Sequence, residues 1–279
     1  MGCDGYTVRD LAAYRRAYDS PRHQPRGFPG RVKYKRHLRK LDGFVVYSSH
    51  SARFLEEVYG IPEGRITVAH NAVDTTVIAA TRAQLVASGL ARDPLRIAFV
   101  GRMTEGKGVD TLLHAFRALS QRHPSSSLVM VGDGSAREEW EHLAASLGLN
   151  NVEFYGAVFD EQQLASILCK CSVFVLPGLG GLALNTAMAA GLAIVCTHGD
   201  GTELDLVEEG VNGWHFPPGN RAALAEILCQ ALSDPERLAR MGNTSAAQVE
   251  EQFSIQAMVD AYVRRIEISI GSAASPDAR

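Results

Sequence analysis

The sequence predicts an α/β fold: a doubly wound, Rossmann-like parallel sheet. Three observations predict it. Short apolar runs recur along most of the 279 residues, nearly every run is followed by a stretch with apolar residues at helical spacing, and several runs end in glycine-bearing loops. Strands that are apolar on successive positions are covered on both faces, and helices between them provide the cover. Right-handed crossovers then leave an open sheet whose ligand sits beyond the carboxyl ends of the strands.

In chain order, LRIAFVG (95–101) reads as a strand and VDTLLHAFRAL (109–119) as the helix after it. SSLVMVGDG (126–134) is the next strand, followed by AREEWEHLAASLG (136–148), a helix with a glycine stop. VEFYG (152–156), CSVFVLPG (171–178), LAIVCT (192–197) and WHFP (214–217) continue the strands, with helices near 160–169, 181–190 and 220–232. Upstream, FVVYSS (44–49) and ITVAHN (66–71) are two more strands around a helix, SARFLEEVYG (51–60). Two strands do not make an independent domain. The expected organisation is an N-terminal part (1–74), a linker (75–94), a main domain (95–252), a helix crossing back (253–271) and a disordered tail (272–279).

Composition excludes several classes. A hydrophobic fraction of 46% against 21% charged suits a globular chain, and a formal charge of −3 gives no reason to expect nucleic acid as a partner. Five cysteines are too few and too scattered for a disulfide framework, and Cys169-Lys170-Cys171 lacks the second pair a zinc site needs; buried reduced thiols, no metal and a cytoplasmic location are expected. MGCDGYTVRD has no apolar core of a signal peptide, and Tyr6 spoils a myristoylation pattern. A basic run, Arg31 to Lys40, suits an anionic acceptor or peripheral contact with the inner face of a membrane. A solvated helix face is the commoner state of such a run.

Four loops carry chemistry. In FVGRMTEGKG (99–108), Gly101 ends a strand, and Arg102 and Lys107 project from one loop beside a helix start, which suits a diphosphate. VMVGDG (129–134) turns tightly at Gly132 and Gly134, where glycine permits close approach of backbone to a ligand. LPGLGGLALNTAMAAG (176–191) opens a helix at Gly180-Gly181-Leu182, whose unpaired N–H groups form an anion site. In THGDGTELDLVEEGVNG (197–213), Glu203 and Asp205 could accept from sugar hydroxyls or serve a helix N-terminus. His198 stands near the same sheet edge, while His50 and His70 read as structural or capping.

Together these loops resemble the donor domain of family 4 GT-B glycosyltransferases, whose pattern runs V-G-R-L-x4-KG, G-D-G, F-x-G, P-S-x-x-E-G-F-G-L-x3-E-A-M-A-x-G and G-x-x-E-x-V-x-x-G-x-x-G. GRMTEGKG, VGDG, FYG (154–156), PGLGGLALNTAMAAG and GDGTELDLVEEGVNG match it in order. VVYSSHSARFLEEVYGIPEGRITVAHNAVD (45–74) is similar to the segment before the family's interdomain linker. The resemblance implies a GT-B fold of which only the last part of the first Rossmann-like domain is present. It implies a retaining transfer of sugar from a UDP- or GDP-sugar to a hydroxyl on a glycan or lipid-linked glycan, with no cofactor. Arg102 and Lys107 fall on the diphosphate pair and act as the catalytic cations. Gly101, Gly132, Gly180, Gly181, Leu182 and Glu203 join them around the donor, Ala157 and Val158 near the base, and Thr186 near the ribose. The family's two glutamates align with Gly178 and Thr186, so neither carboxylate is present. Two further readings stay open on that ground: a nucleotide-sugar-binding module without catalysis, and a sugar-nucleotide epimerase.

Overall fold

The computed structural model describes residue 38, residues 40–89 and residues 92–273, with the side chains of 272 and 273 excepted. Cys3, most of the basic run and residues 274–279 lie outside the described residues. The chain divides into Met1–Asp42 and a compact unit Gly43–Arg279. Of the first, the described part is a turn in which Leu41 N–H donates to Leu38 O at 3.1 Å. The second holds all the described strands.

Among the described residues eight strands, all paired in parallel, form two sheets. β1 (Phe44–Val46) and β2 (Ile66–Val68) pair with each other. β3 (Arg96–Val100), β4 (Ser127–Val131), β5 (Val152–Gly156), β6 (Val173–Leu176), β7 (Ala193–Thr197) and β8 (Gly213–Phe216) form a six-stranded sheet in the order β5-β4-β3-β6-β7-β8. The chain moves outward from β3 to β5, then restarts beside β3 at β6 and moves the other way. That reversal is the topological switch point at which open α/β sheets bind ligands.

The continuous apolar runs are explained by cover on both faces. In β3, Ile97 and Phe99 join one buried cluster and Ala98 the other; in β6, Val173 and Val175 face the first while Phe174 and Leu176 face the second. β4 and β7 alternate in the same way. The first face is covered by α3 (Val109–Arg122), α4 (Arg137–Ser146) and α8 (Arg221–Leu232), through residues such as Phe116, Trp140 and Leu228. Ile78 of α2 (Thr76–Ala87), Leu168 of α5 (Glu161–Leu168), Met188 of α6 (Ala183–Ala189) and Val249 of α9 (Pro235–Gln252) cover the second. Each fully buried Leu or Phe contributes roughly 1.5–3 kcal/mol.

Two helices lie where the sequence reading placed none. The stretch read as a linker, 75–94, contains α2, which packs along α5 and α6. Beyond it, Arg92 donates to Cys171 O ahead of β6 and to Ala190 O and Gly191 O at the end of α6. α9 begins at Asp234, whose side chain accepts from Arg237 N at 2.9 Å, with Pro235 in the first turn.

Between β1 and β2, α1 (Ser49–Phe54) runs on as a π-helical turn, Leu55–Tyr59, and stops at Gly60. The short α7 (Glu203–Leu206) links β7 to β8. The final helix, α10 (Ile255–Ala273), lies against β1 and β2, where the nearly buried Arg265 donates to Gly64 O at 3.1 Å. Cys169, Cys171, Cys196 and Cys229 are buried free thiols, and burial pushes the Cys171 thiol up to about 12. None of the described helices is long and apolar enough to cross a membrane.

Candidate functional site

The loops after β3 and β6 meet across the switch point, and their meeting is backbone on backbone. Gly108 has φ +66, and a Cβ there would lie 2.2 Å from Pro177 O. A Cβ on Gly178 would lie 2.5 Å from Gly106 O and 2.6 Å from Lys107 O. Only glycine allows this approach. The result fixes Lys107, whose Nζ donates to Leu179 O at 2.8 Å and to Gly180 O at 3.1 Å, so its ammonium lies across the crevice. Burial lowers the Lys107 pKa from its ordinary value; the Asp200 charge opposes that shift and the Arg102 charge adds to it. Arg102, on the same loop, is exposed.

Two helices start from these loops. α3 follows Gly108 and α6 follows Leu182, neither with a side-chain cap, and the first N–H groups of a helix have no partner within it. Gly181 and Leu182 are exposed, and a Cβ on Gly181 would meet nothing within 4 Å. Gly180 is half-buried beside them and carries one of the carbonyls that hold Lys107. The structure thus brings Gly101, Arg102, Lys107, Gly180, Gly181 and Leu182 to one edge of the sheet.

Other expected site residues have different surroundings. Gly132 has φ +136, and a Cβ there would lie 1.9 Å from Gly101 O; Gly134 stands in the same way against Met103 O. Their glycine character is demanded by the neighbouring loop, so a close-approaching ligand is not needed to explain it. Thr186 turns its hydroxyl back onto Leu182 O, and the buried Asn185 donates to Asn71 O. Ala157 is exposed after β5, Val158 packs against the core, and Phe159 is 93% exposed.

The loop after β7 resolves its own acidic residues. Glu203 is 1% exposed, and its carboxylate accepts from Gly199 N at 2.8 Å and from Gly201 N at 3.1 Å. Burial raises its pKa against those hydrogen bonds, which lower it. Glu203 therefore ties down the loop beside the crevice. Asp205 turns to the 44–74 segment: it accepts from Ser49 N at 2.7 Å and from the Ser49 hydroxyl, with His70 Nδ1 3.6 Å away. Asp200, which the sequence reading gave no role, is half-buried, and its Oδ1 accepts from Thr202 N at 3.0 Å. Its signal in the sequence was a position just past the end of β7. His198 stacks on His215 with ring centroids 5.3 Å apart. Among the described residues no group of three or more His, Cys, Asp or Glu side chains is placed to hold a metal ion.

A six-stranded doubly wound sheet with a cationic crevice at its switch point defines a Rossmann-like domain of the GT-B class. The Thermosynechococcus elongatus sucrose-phosphate synthase structure superposes with a TM-score of 0.70 at 24% identity, over 93% of this chain and 66% of that one. Anabaena HepE, solved in complex with UDP and glucose, gives 0.65 at 22%, over 84% and 67%. Residues 81–248, more than half of the chain, match the glycosyl transferases group 1 family, and residues 7–77 match Glycosyltransferase Family 4. The chain belongs to the glycosyl transferases group 1 family.

Relatives agree. A D-inositol 3-phosphate glycosyltransferase of Streptomyces avermitilis is 31% identical over 227 residues, which are 75% of this chain and 48% of that protein. The O-antigen chain mannosyltransferase C of Escherichia coli is 34% identical over 170 residues, 59% of this chain and 44% of that protein. The chain spans about half the length of the relatives it matches.

Proposed function

We propose that this chain binds a nucleotide diphosphate sugar, UDP- or GDP-linked, at the carboxyl edge of β3, β6 and β7, and serves transfer of the sugar to a hydroxyl acceptor with retention of configuration. The acceptor class is a glycan or lipid-linked glycan of a surface polysaccharide, in keeping with the names of several relatives. The observation that carries the reading is Lys107, held across the crevice by Leu179 O and Gly180 O, with Arg102 on the same loop and the uncapped starts of α3 and α6 at the ends of the two loops. As the bond from sugar to phosphate breaks, negative charge builds on the departing diphosphate. Fixed cations and N–H groups lower that charge's energy more in the transition state than in the ground state.

A second reading is supported by Gly178. The backbone oxygens of Gly106 and Lys107 leave no room there for any side chain, so a carboxylate cannot occupy the position. That favours a module that holds the sugar nucleotide and leaves acceptor chemistry to other residues. One experiment separates the readings: a calorimetric panel of UDP- and GDP-sugars, followed by mass spectrometry of an acceptor mixture with the bound donor. Binding with glycosylated product supports transfer, binding with unaltered acceptors supports the module, and no binding by any member rejects both.

A further inference from the structure

A carboxylate repels a diphosphate, so an acidic side chain built beside a diphosphate crevice calls for a different partner group. Asp200 is such a side chain. Its loop lies directly on the loop after β6: a Cβ on Gly199 would come within 3.5 Å of Gly180 N and of Leu179 Cα. Those two residues supply the carbonyls that hold Lys107, and the Asp200 charge opposes the effect of burial on that ammonium.

The acidic neighbours of Asp200 are committed elsewhere, Glu203 to Gly199 and Gly201 and Asp205 to Ser49. Asp200 spends one oxygen on Thr202 N, and a carboxylate offers about four acceptor sites. In the loop that Gly199 adjoins, the stretch Pro177-Gly178-Leu179-Gly180-Gly181-Leu182 carries no side-chain acceptor at all, and Gly178 has no space for one. Sugar hydroxyls taken out of water must donate to some acceptor or lose a hydrogen bond.

We propose that Asp200 accepts hydrogen bonds from hydroxyls of the donor sugar and makes the site prefer an intact sugar nucleotide over the free nucleoside diphosphate. This role rests on the donor reading above. Two effects act in one direction. The intact donor brings hydroxyls to Asp200. The released diphosphate brings none and carries an additional negative charge on the phosphate that lost the sugar. Asp200 thereby strengthens donor binding and weakens product binding, which favours product release.

The test is calorimetry with four probes, UDP, GDP, UDP-glucose and GDP-mannose, on the full chain and on Asp200→Asn. Asparagine keeps an oxygen for Thr202 N–H, so the loop turn survives while the charge is lost; an unchanged thermal melt checks this. The expected result is that the sugar nucleotide's affinity advantage over its own nucleoside diphosphate falls by about five-fold or more, while nucleoside diphosphate binding is unchanged or tighter. A preserved advantage, or a parallel loss for both kinds of probe, overturns the Asp200 role and leaves the donor reading intact. A parent chain that binds none of the four overturns the donor reading, and the Asp200 role with it.

Discussion

The backbone N–H of Ser49 donates to Asp205 Oδ2 at 2.7 Å, across 156 residues of sequence. This bond, with the Ser49 hydroxyl on Oδ1 and His70 beside the same carboxylate, ties the β1–β2 segment to the loop after β7. Asp205→Ala removes the acceptor and leaves a half-buried N–H and hydroxyl to find others. The expected cost is about 1–3 kcal/mol. Urea denaturation checks it, as a lower midpoint with the same slope; a midpoint equal to the parent's contradicts it.

Arg102→Ala and Lys107→Ala should each weaken UDP or GDP binding by about 1.5–3 kcal/mol, as charge-assisted contacts do. Because burial lowers the Lys107 pKa from 10.5, diphosphate binding should also begin to weaken at a lower alkaline pH than an ordinary lysine would give. In Lys107→Ala that alkaline loss should disappear. Isothermal titration over a pH series reads both effects, and parental affinity in both variants would refute the diphosphate assignment.

Gly132 and Gly148 offer a paired comparison. Both have positive φ, but a Cβ at Gly132 would lie 1.9 Å from Gly101 O, whereas at Gly148 it would meet nothing within 4 Å. Gly132→Ala combines backbone strain with a backbone clash and should cost on the order of 2–5 kcal/mol. Gly148→Ala carries strain alone and should cost about 1 kcal/mol. Equal losses of Tm in the two variants would show that the β3 and β4 loops do not constrain each other.

Two histidines predict acid sensitivity before the carboxylates titrate. Burial lowers the pKa of both His50 and His198 from 6.5; the Arg53 charge assists at His50 and the His215 ring at His198. Asp205, Glu57 and Asp200 oppose the shift at His50, as Glu209 does at His198. A lowered folded-state pKa means that the unfolded chain binds protons first. Stability is therefore full above 6.5 and falls as pH drops from 6.5 through the lowered folded values. His50→Gln and His198→Gln should each flatten the stability profile below 6.5, measured by denaturation at stepped pH. A slope unchanged in both variants would sink the idea.

The helices of the sheet that the sequence reveals are those that follow an apolar run: α3, α4, α5, α6 and α8. α9 is absent from the sequence expectation, although Asp234-Pro235-Glu236 is a helix start in which the aspartate caps and proline needs no N–H donor. α2 was not legible. Thr76–Ala87 spreads Val77, Ile78, Leu85 and Val86 around its circumference, and only Ile78 and Thr81 are buried, so no single face announces itself. Its helix is decided by packing on α5 and α6, which lie far along the chain.

The sequence by itself determined the sheet and the cationic loop. Strands buried on both faces need unbroken apolar runs, and a glycine-bounded loop with Arg102 and Lys107 after a strand is a local pattern. The tertiary structure alone decided which side chain does what around that loop. Three acidic residues lie within six positions of one another, yet Glu203 binds its own loop's amides, Asp205 binds Ser49, and Asp200 accepts from Thr202 N. Gly132 and Gly178 likewise owe their identity to carbonyls of the β3 loop. The physical reason is the same in each case. Hydrophobic burial and helix periodicity act over neighbouring residues and can be read in order, whereas a hydrogen-bond partner or a steric limit is set by whichever strand end the topology brings alongside.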